Sequence, residues 1–326
     1  MDHLLIDLAS HDLGGRALEA SDESLGPKER ILDPGAPRPP DPSGGPRDGW
    51  ETRRRRDGGH DWVIVRLGVR GILRRVVVDT TWFEGDEPDA CSVEAIDLPG
   101  KPNIVELVRD RHRWFEALPR VPIDGGGRNE FNLPTDLPAT HLRLVLYPDG
   151  GVARLRAYGE PAPGDGPCAS DRVADLAAVT AGGRVIDCST IGGSSPNGML
   201  GEPGGAAGWL TPRRRQSGHE WAVIRLAGPA TLERIEIDTS GFRGKAPEAC
   251  AVEGLLANHS PPEALRSAAW LPLIGPSEVD EDGTTRWSDL ASEGPFSHLR
   301  LSVLPDGGIR SFRVLGRCRQ AWHEGR

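Results

Sequence analysis

Four acids, Asp22, Glu23, Asp48 and Glu51, share the early part of the chain with Arg53 and Arg54. Carboxylates accept the paired N–H groups of a urea-like amide, and an arginine fork holds a carboxylate through two parallel hydrogen bonds. The plainer reading is a set of cap, turn and surface charges. A second cluster, Gly59-His60-Asp61-Trp62, recurs as Gly218-His219-Glu220-Trp221. A histidine followed by an acid before an apolar strand can serve as a general base or a metal ligand. It can equally be a turn glycine, a residue opening a strand and a core tryptophan. Asp79-Thr80 recurs as Asp238-Thr239, each ahead of a Phe-x-Gly turn at 83–85 and 242–244. Such a pair caps a turn or faces a pocket at a sheet rim. Arg66, Arg143, Arg225 and Arg300 lie in apolar runs, where Glu94 and Glu253 are their expected partners.

No HExxH, GxSxG or zinc-type Cys/His spacing is present, so no mechanism follows from spacing alone. His60, Asp61 and Asp79 are the side chains that would contribute to a divalent metal site such as Mn2+, without ligand-like spacing. The need for any cofactor stays open at this level.

What positions these residues is a duplication. Residues 49–96 align with 208–255 without a gap, and about half the positions are identical. Residues 141–159 match 298–316, and Gly14-Gly15-Arg16 matches Gly182-Gly183-Arg184. Two domains of one fold follow, since solenoid repeats are far shorter. The expected limits are 1–160 and 168–326, with a Pro/Gly-rich linker at 160–167. A loop at 33–49 carries six prolines, and 258–283 reads as loop-rich around Trp270. The copies are not equal. Where the first has Glu51 and Arg53, the second has Leu210 and Pro212; where the first has Asp22-Glu23, the second has Thr190-Ile191. Acids present in one copy are poor candidates for shared folding duties, so the first domain is expected to host the site.

Within each copy the apolar pattern has a period of two. Trp62, Ile64 and Arg66 alternate with Val63, Val65 and Leu67; Leu142, Leu144 and Leu146 alternate with His141, Arg143 and Val145. Pro148-Asp149-Gly150-Gly151 is expected to turn a hairpin. Short strands punctuated by 42 Gly and 29 Pro predict an all-β, antiparallel sandwich of the jelly-roll kind, with helix expected only near 172–180 and 263–269. No strand–Gly-loop–helix unit supports nucleotide binding.

The net charge of −9 opposes nucleic acid and anionic membranes. The run Arg53–Arg56 sits among Asp48, Glu51 and Asp57 and reads as a solvated turn. No apolar stretch approaches a bilayer span, and the first ten residues lack the features of a secretory signal. The five scattered cysteines then read as reduced thiols in a cytoplasmic protein, with Cys91 and Cys250 as small buried hydrophobes.

Asp48-Gly49-Trp50-Glu51-Thr52-Arg53-Arg54 through Gly59–Trp62, together with 78–85 and the opening 14–23, resembles the allantoicase family over nearly the whole chain. Departures are Ser24-Leu25 in place of an aromatic pair, and Asp86 in place of Asn. The resemblance implies tandem jelly rolls like galactose-binding domains, allantoate hydrolysis to ureidoglycolate and urea in purine breakdown, and homo-oligomers. On that basis Arg53 or Arg54 is expected to hold the substrate carboxylate. Asp22, Glu23 and Glu51 are expected to accept ureido N–H groups, with Asp48, Asp79, Thr80 and Arg143 completing the binding set. His60 with Asp61, and Glu51, are the expected catalytic groups, supplying on the order of 10²–10⁴ in rate. The competing readings are a non-catalytic jelly roll binding carbohydrate or another small ligand, and a related ureide enzyme acting on ureidoglycolate.

Overall fold

The computed structural model describes residues 4–319 except 101, 110–112, 163, 165, 192–194, 202–207 and 258–260. The linker expected at 160–167 therefore lies partly outside the described residues, as does the start of the 258–283 loop. The chain divides into two compact units, Leu5–Ala162 and, in the main, Pro163–Arg326.

In the first unit β1 (Ile6–Asp7), β2 (Arg16–Ala20) and β3 (Trp50–Glu51) precede the central β4 (Asp61–Asp79). Then follow β5 (Ala90–Ile96), α1 (Ile104–Arg109), β6 (Phe115–Pro122), β7 (Arg128–Asn132), β8 (Pro138–Tyr147), β9 (Gly151–Val152) and β10 (Arg154–Pro161). The main order is β1-β10-β4-β8-β5-β6, with β2 and β7 also paired to β4. The first half of β4 pairs with β2 and β8, and the second half with β7 and β10, with a register shift between Arg66 and Gly71. One long strand thereby feeds both layers of the sandwich.

The second unit repeats this with β11 (Ala174–Asp175), β12 (Arg184–Cys188), β13 (Trp209–Leu210), β14 (Glu220–Asp238) and β15 (Ala249–Leu255). It continues through α2 (Pro262–Arg266), β16 (Leu271–Glu278), β17 (Thr284–Trp287), β18 (Phe296–Leu304), β19 (Gly308–Ile309) and β20 (Ser311–Cys318). Its order, β11-β20-β14-β18-β15-β16 with β12 and β17 on β14, is the same topology. The all-β reading thus holds as two jelly-roll sandwiches.

The period of two is visible as burial. Val63, Val65 and Leu67 face the core, while Ile64 on the other face is covered by Leu107 and Trp114 near α1. Trp50 and Trp209 are fully buried at matching positions.

Four local expectations are corrected. Pro148-Asp149-Gly150-Gly151 does not close a hairpin: β8 and β10 flank β4 on different halves, and β9 pairs with β3. The 172–180 segment holds the short β11 and a single 3-10 turn at Val179–Ala181 rather than an α-helix, whereas α2 falls where a helix was expected, and α1 was not foreseen. The loop-rich 258–283 region contains α2 and β16. The five cysteines are not all thiols, because Cys168 and Cys318 form a disulfide with Cα atoms 5.0 Å apart. Their separation of 150 residues left no local signal. Cys91 and Cys250 are buried, and burial pushes both thiols up to about 12.

Candidate active site

Comparing the repeats separates side chains that hold the fold from those that do not. Asp61 opens β4 with its carboxylate inside the domain, where Oδ1 accepts from Ser21 Oγ at 2.8 Å and from Arg55 Nη1 at 2.7 Å. Glu220 does the same for Ser189 Oγ at 2.5 Å and Arg214 Nη1 at 2.6 Å. Thr80 Oγ1 donates to the carbonyl oxygens of Asp124 and Gly127, and Thr239 Oγ1 to those of Asp280 and Gly283. Asp79 Oδ1 accepts from Thr81 N at 2.9 Å, and Asp238 Oδ1 from Ser240 N at 2.9 Å. Arg143 Nε binds Glu94 at 2.5 Å and lies over the Trp114 ring; Arg300 Nε binds Glu253 at 2.6 Å and lies over Trp270. Arg66, the other strand arginine of the first repeat, donates instead to the Gly14 carbonyl oxygen at 3.1 Å. Asp61, Asp79, Thr80 and Arg143 are thus occupied in the same way as their counterparts.

The expected His60–Asp61 acid/base pair does not form. Asp61, the first residue of β4, is fully buried against Ser21 and Arg55, whereas His60, just ahead of the strand, is exposed. The His60 ring is exposed, with its centroid 5.6 Å from that of Tyr147, at a cavity of about 220 Å³ shared with Trp62, Glu94 and Arg143. Nor do His60, Asp61 and Asp79 gather as metal ligands. Among the described residues no three His, Cys, Asp or Glu side chains are arranged to hold an ion, and the Asp61 carboxylate is already bound by Arg55. This donor set does not fit a divalent metal.

A second group carries acids that the other repeat lacks, Asp22, Glu23 and Glu51 standing where that repeat has Thr190, Ile191 and Leu210. It surrounds the short β3–β9 pair, to which Gly26 adds a bridge with Glu51. The close approach demands small residues: a Cβ on Gly151 would lie 1.8 Å from the Phe83 ring, and one on Gly26 2.6 Å from the Gly49 carbonyl oxygen. Asp22 crosses to Arg53, accepting from its Nε at 2.9 Å and its backbone N at 3.2 Å. Burial works against the Asp22 charge, but the bonds from Ser24 and Arg53 outweigh it and hold the carboxyl below its usual range. Glu23 accepts from Lys28 Nζ at 3.0 Å, which lowers its pKa. Asp48 is likewise desolvated, yet Arg154 Nη2 at 2.8 Å and Arg38 bring it down to about 2. Asp22, Glu23 and Asp48 therefore stay ionised at neutral pH.

Glu51 differs from them. It is half-buried, and desolvation raises its pKa; Arg47 lowers it, and Asp86 raises it further. Arg47 Nη2 binds Asp86 Oδ2 at 2.7 Å, and its guanidinium stacks 5.3 Å from the Phe83 ring centroid. Its Nη1 is buried without a hydrogen-bond partner, 3.9 Å from Glu51 Oε1. A carboxyl whose pKa is raised by burial thus stands within ion-pair distance of a guanidinium N–H that makes no hydrogen bond. Arg54 is exposed, with no partner among the described residues, and Arg53 is 71% exposed at its side chain. Together they offer a carboxyl that can take or give a proton, an N–H for an oxygen, and exposed cations for a carboxylate.

Arg47, Asp86 and Trp82 escaped the sequence reading. Trp82 adopts φ 71°, a left-handed conformation costly for a tryptophan, and its Nε1 donates to the Pro37 carbonyl oxygen at 3.2 Å. The signal was available: the second copy has Lys245 and Gly241 in place of Asp86 and Trp82. The asymmetry that singled out Glu51 extends to them.

Known proteins align with both halves. A family model described as the allantoicase repeat matches residues 6–162 and again 174–319. The chain is 39% identical over 326 residues to a probable allantoicase of Nocardia farcinica, covering 96% of this chain and 94% of the relative. It is 37% identical over 324 residues to a probable allantoicase of Burkholderia mallei, covering 95% and 94%. Among solved structures, the crystal structure of allantoicase from Saccharomyces cerevisiae superposes with a TM-score of 0.78 at 32% identity, covering 95% of this chain and 92% of that one.

Proposed function

The chain belongs to the allantoicase family, and from that premise we infer that it works at the rim of its first repeat, around Glu51. It hydrolyses allantoate, releasing ureidoglycolate and urea. Allantoate carries a carboxylate and two ureido groups on one carbon. The reaction breaks one C–N bond of that carbon and forms a C–O bond from water; the water proton ends on the departing urea nitrogen. One carboxyl between water and leaving group can take that proton and pass it on.

Glu51 fits this task because burial raises its pKa with no hydrogen bond to offset it, whereas hydrogen bonds lower those of Asp22, Glu23 and Asp48. Arg54, and Arg53 on release from Asp22, suit the carboxylate. Asp22 and Glu23 supply acceptors for ureido N–H groups, and Asp48 holds the loop through Arg154. Arg47 Nη1 suits the ureido carbonyl oxygen beside Glu51. The single observation that carries the assignment is the half-buried Glu51 carboxyl in a polar group found in one repeat only.

We further read the protein as a cytoplasmic homo-oligomer without affinity for nucleic acid or membranes, built of domains 1–160 and 168–326. A net charge of −9 supports the absence of polyanion binding. Among the described residues no helix is long and apolar enough to cross a membrane. Exposed apolar side chains such as Trp82, Leu25 and Leu271 leave surface for self-association.

The test is urea release from allantoate by Glu51→Gln, with folding checked by circular dichroism. A fall of about 10²–10⁴ is expected. A folded variant that turns over at the native rate refutes the assignment.

A further inference from the structure

The second repeat rebuilds the rim scaffold of the first and changes what it carries. Thr211 Oγ1 bonds with Gly307 as Thr52 Oγ1 does with Gly150. Arg214 N donates to Asp306 Oδ2 at 2.6 Å, as Arg55 N does to Asp149 Oδ2 at 2.7 Å. Gly308 N donates to the Lys245 carbonyl oxygen at 2.7 Å, matching Gly151 N and Asp86 O at 2.8 Å. On this shared scaffold Leu210 replaces Glu51, Lys245 replaces Asp86 and Pro212 replaces Arg53, while Arg213 keeps the position of Arg54.

These loops line an open cleft of about 670 Å³ whose lining includes Leu210, Arg213, Lys245 and Glu248. That volume lies in the range of small-molecule sites. Arg213 and Lys245 are exposed, and neither side chain has a hydrogen-bond or ion-pair partner among the described residues. Of the acids on the lining, Asp306 is occupied by the Arg214 backbone, and Glu248 forms no ion pair with either cation. Two free cations thus face a cavity from which the proton-carrying acid has been replaced by leucine.

We infer that this second rim binds a small ureido carboxylate, of the class of the enzyme's substrate and product, and holds it without cleaving it. Arg213 and Lys245 receive the carboxylate. With Leu210 at the position of Glu51, the half-buried carboxyl assigned to the proton transfer of C–N cleavage is replaced by an apolar side chain. The ligand class rests on reading the first rim as the allantoate site; the presence of a second site does not.

Calorimetric titration of the full chain with ureidoacetate tests this. That compound has the carboxylate and one ureido group, but no second ureido group on the same carbon. Two sites per chain are expected, and Arg213→Glu with Lys245→Glu should weaken one at least about tenfold. The single change Lys245→Met, milder at an exposed position, should weaken the same site by a smaller factor. No binding, or binding that is indifferent to these changes at every site, would overturn the proposal. If Glu51→Gln kept native turnover while one site still depended on Arg213 and Lys245, the first-rim assignment would fall and the second site would stand.

Discussion

In the first repeat the rim beside β3 and β9 carries Glu51, Asp86, Asp22 and Glu23; in the second the same positions carry Leu210, Lys245, Thr190 and Ile191. A few residues away the repeats agree closely. Arg55–Asp61–Ser21 is matched by Arg214–Glu220–Ser189, and Arg143–Glu94–Trp114 by Arg300–Glu253–Trp270. Both copies must fold, so contacts that close the sandwich are kept in both. Only one needs to perform the chemistry, so the unmatched acids are where we propose that it happens. An internal duplication thus acts as a control carried on the same chain.

The comparison breaks first at Glu51. Glu51→Gln should lose about 10²–10⁴ of urea release, whereas Leu210→Ala in the second repeat should leave turnover near native. Equal losses from the two would remove the asymmetry.

Next in size are the matched ion pairs. Asp61→Asn and Glu220→Gln each strip a buried partner from an arginine and should destabilise the protein by about 3 kcal/mol. Urea denaturation measures this, and kcat of the folded Asp61→Asn enzyme should change little. A large loss of kcat at unchanged stability would return Asp61 to catalysis.

The buried His141 and His298 supply a matched pH test. Burial, with Arg66 or Arg225 nearby, lowers each from 6.5 to about 4. The native state therefore prefers the neutral ring, while the unfolded chain protonates near 6.5. Their stabilisation is fully present above pH 6.5 and is lost as pH falls toward 4, by about 3 kcal/mol each. Denaturation midpoints at pH 7 and pH 4.5 should differ accordingly, and His141→Gln and His298→Gln should each remove a similar share. A midpoint that stays constant over this window would contradict the burial of both rings.

The smallest effect concerns Asp86. Its charge raises the Glu51 pKa, so Asp86→Asn should move the limb of the kcat/KM profile that reports Glu51 to lower pH, with about a tenfold loss at the native optimum. An unmoved limb would mean that Glu51 is not the group titrating.

Much of this was legible in the chain. The repeat, the period of two along Trp62–Leu67 and the acids unique to the first copy pointed to tandem sandwiches and to Glu51. The His60–Asp61 pairing looked equally good on paper and failed because Asp61 is buried in an ion pair with Arg55 while His60, just ahead of β4, stays exposed. Arg47 was invisible as a site residue because it lies in a proline-rich loop that reads as surface. The Cys168–Cys318 bond was hidden by distance along the chain.

Sequence alone determined the fold class, the duplication and which half departs from its twin, since self-similarity and apolar alternation are recorded in the order of residues. Tertiary structure decided which of the polar side chains are neighbours. The Asp22–Arg53, Arg47–Asp86 and Asp48–Arg154 contacts join segments 31, 39 and 106 residues apart. Only strand pairing and loop packing bring such segments together, and desolvation without a hydrogen bond to offset it, rather than residue type, makes the Glu51 carboxyl unlike the acids around it.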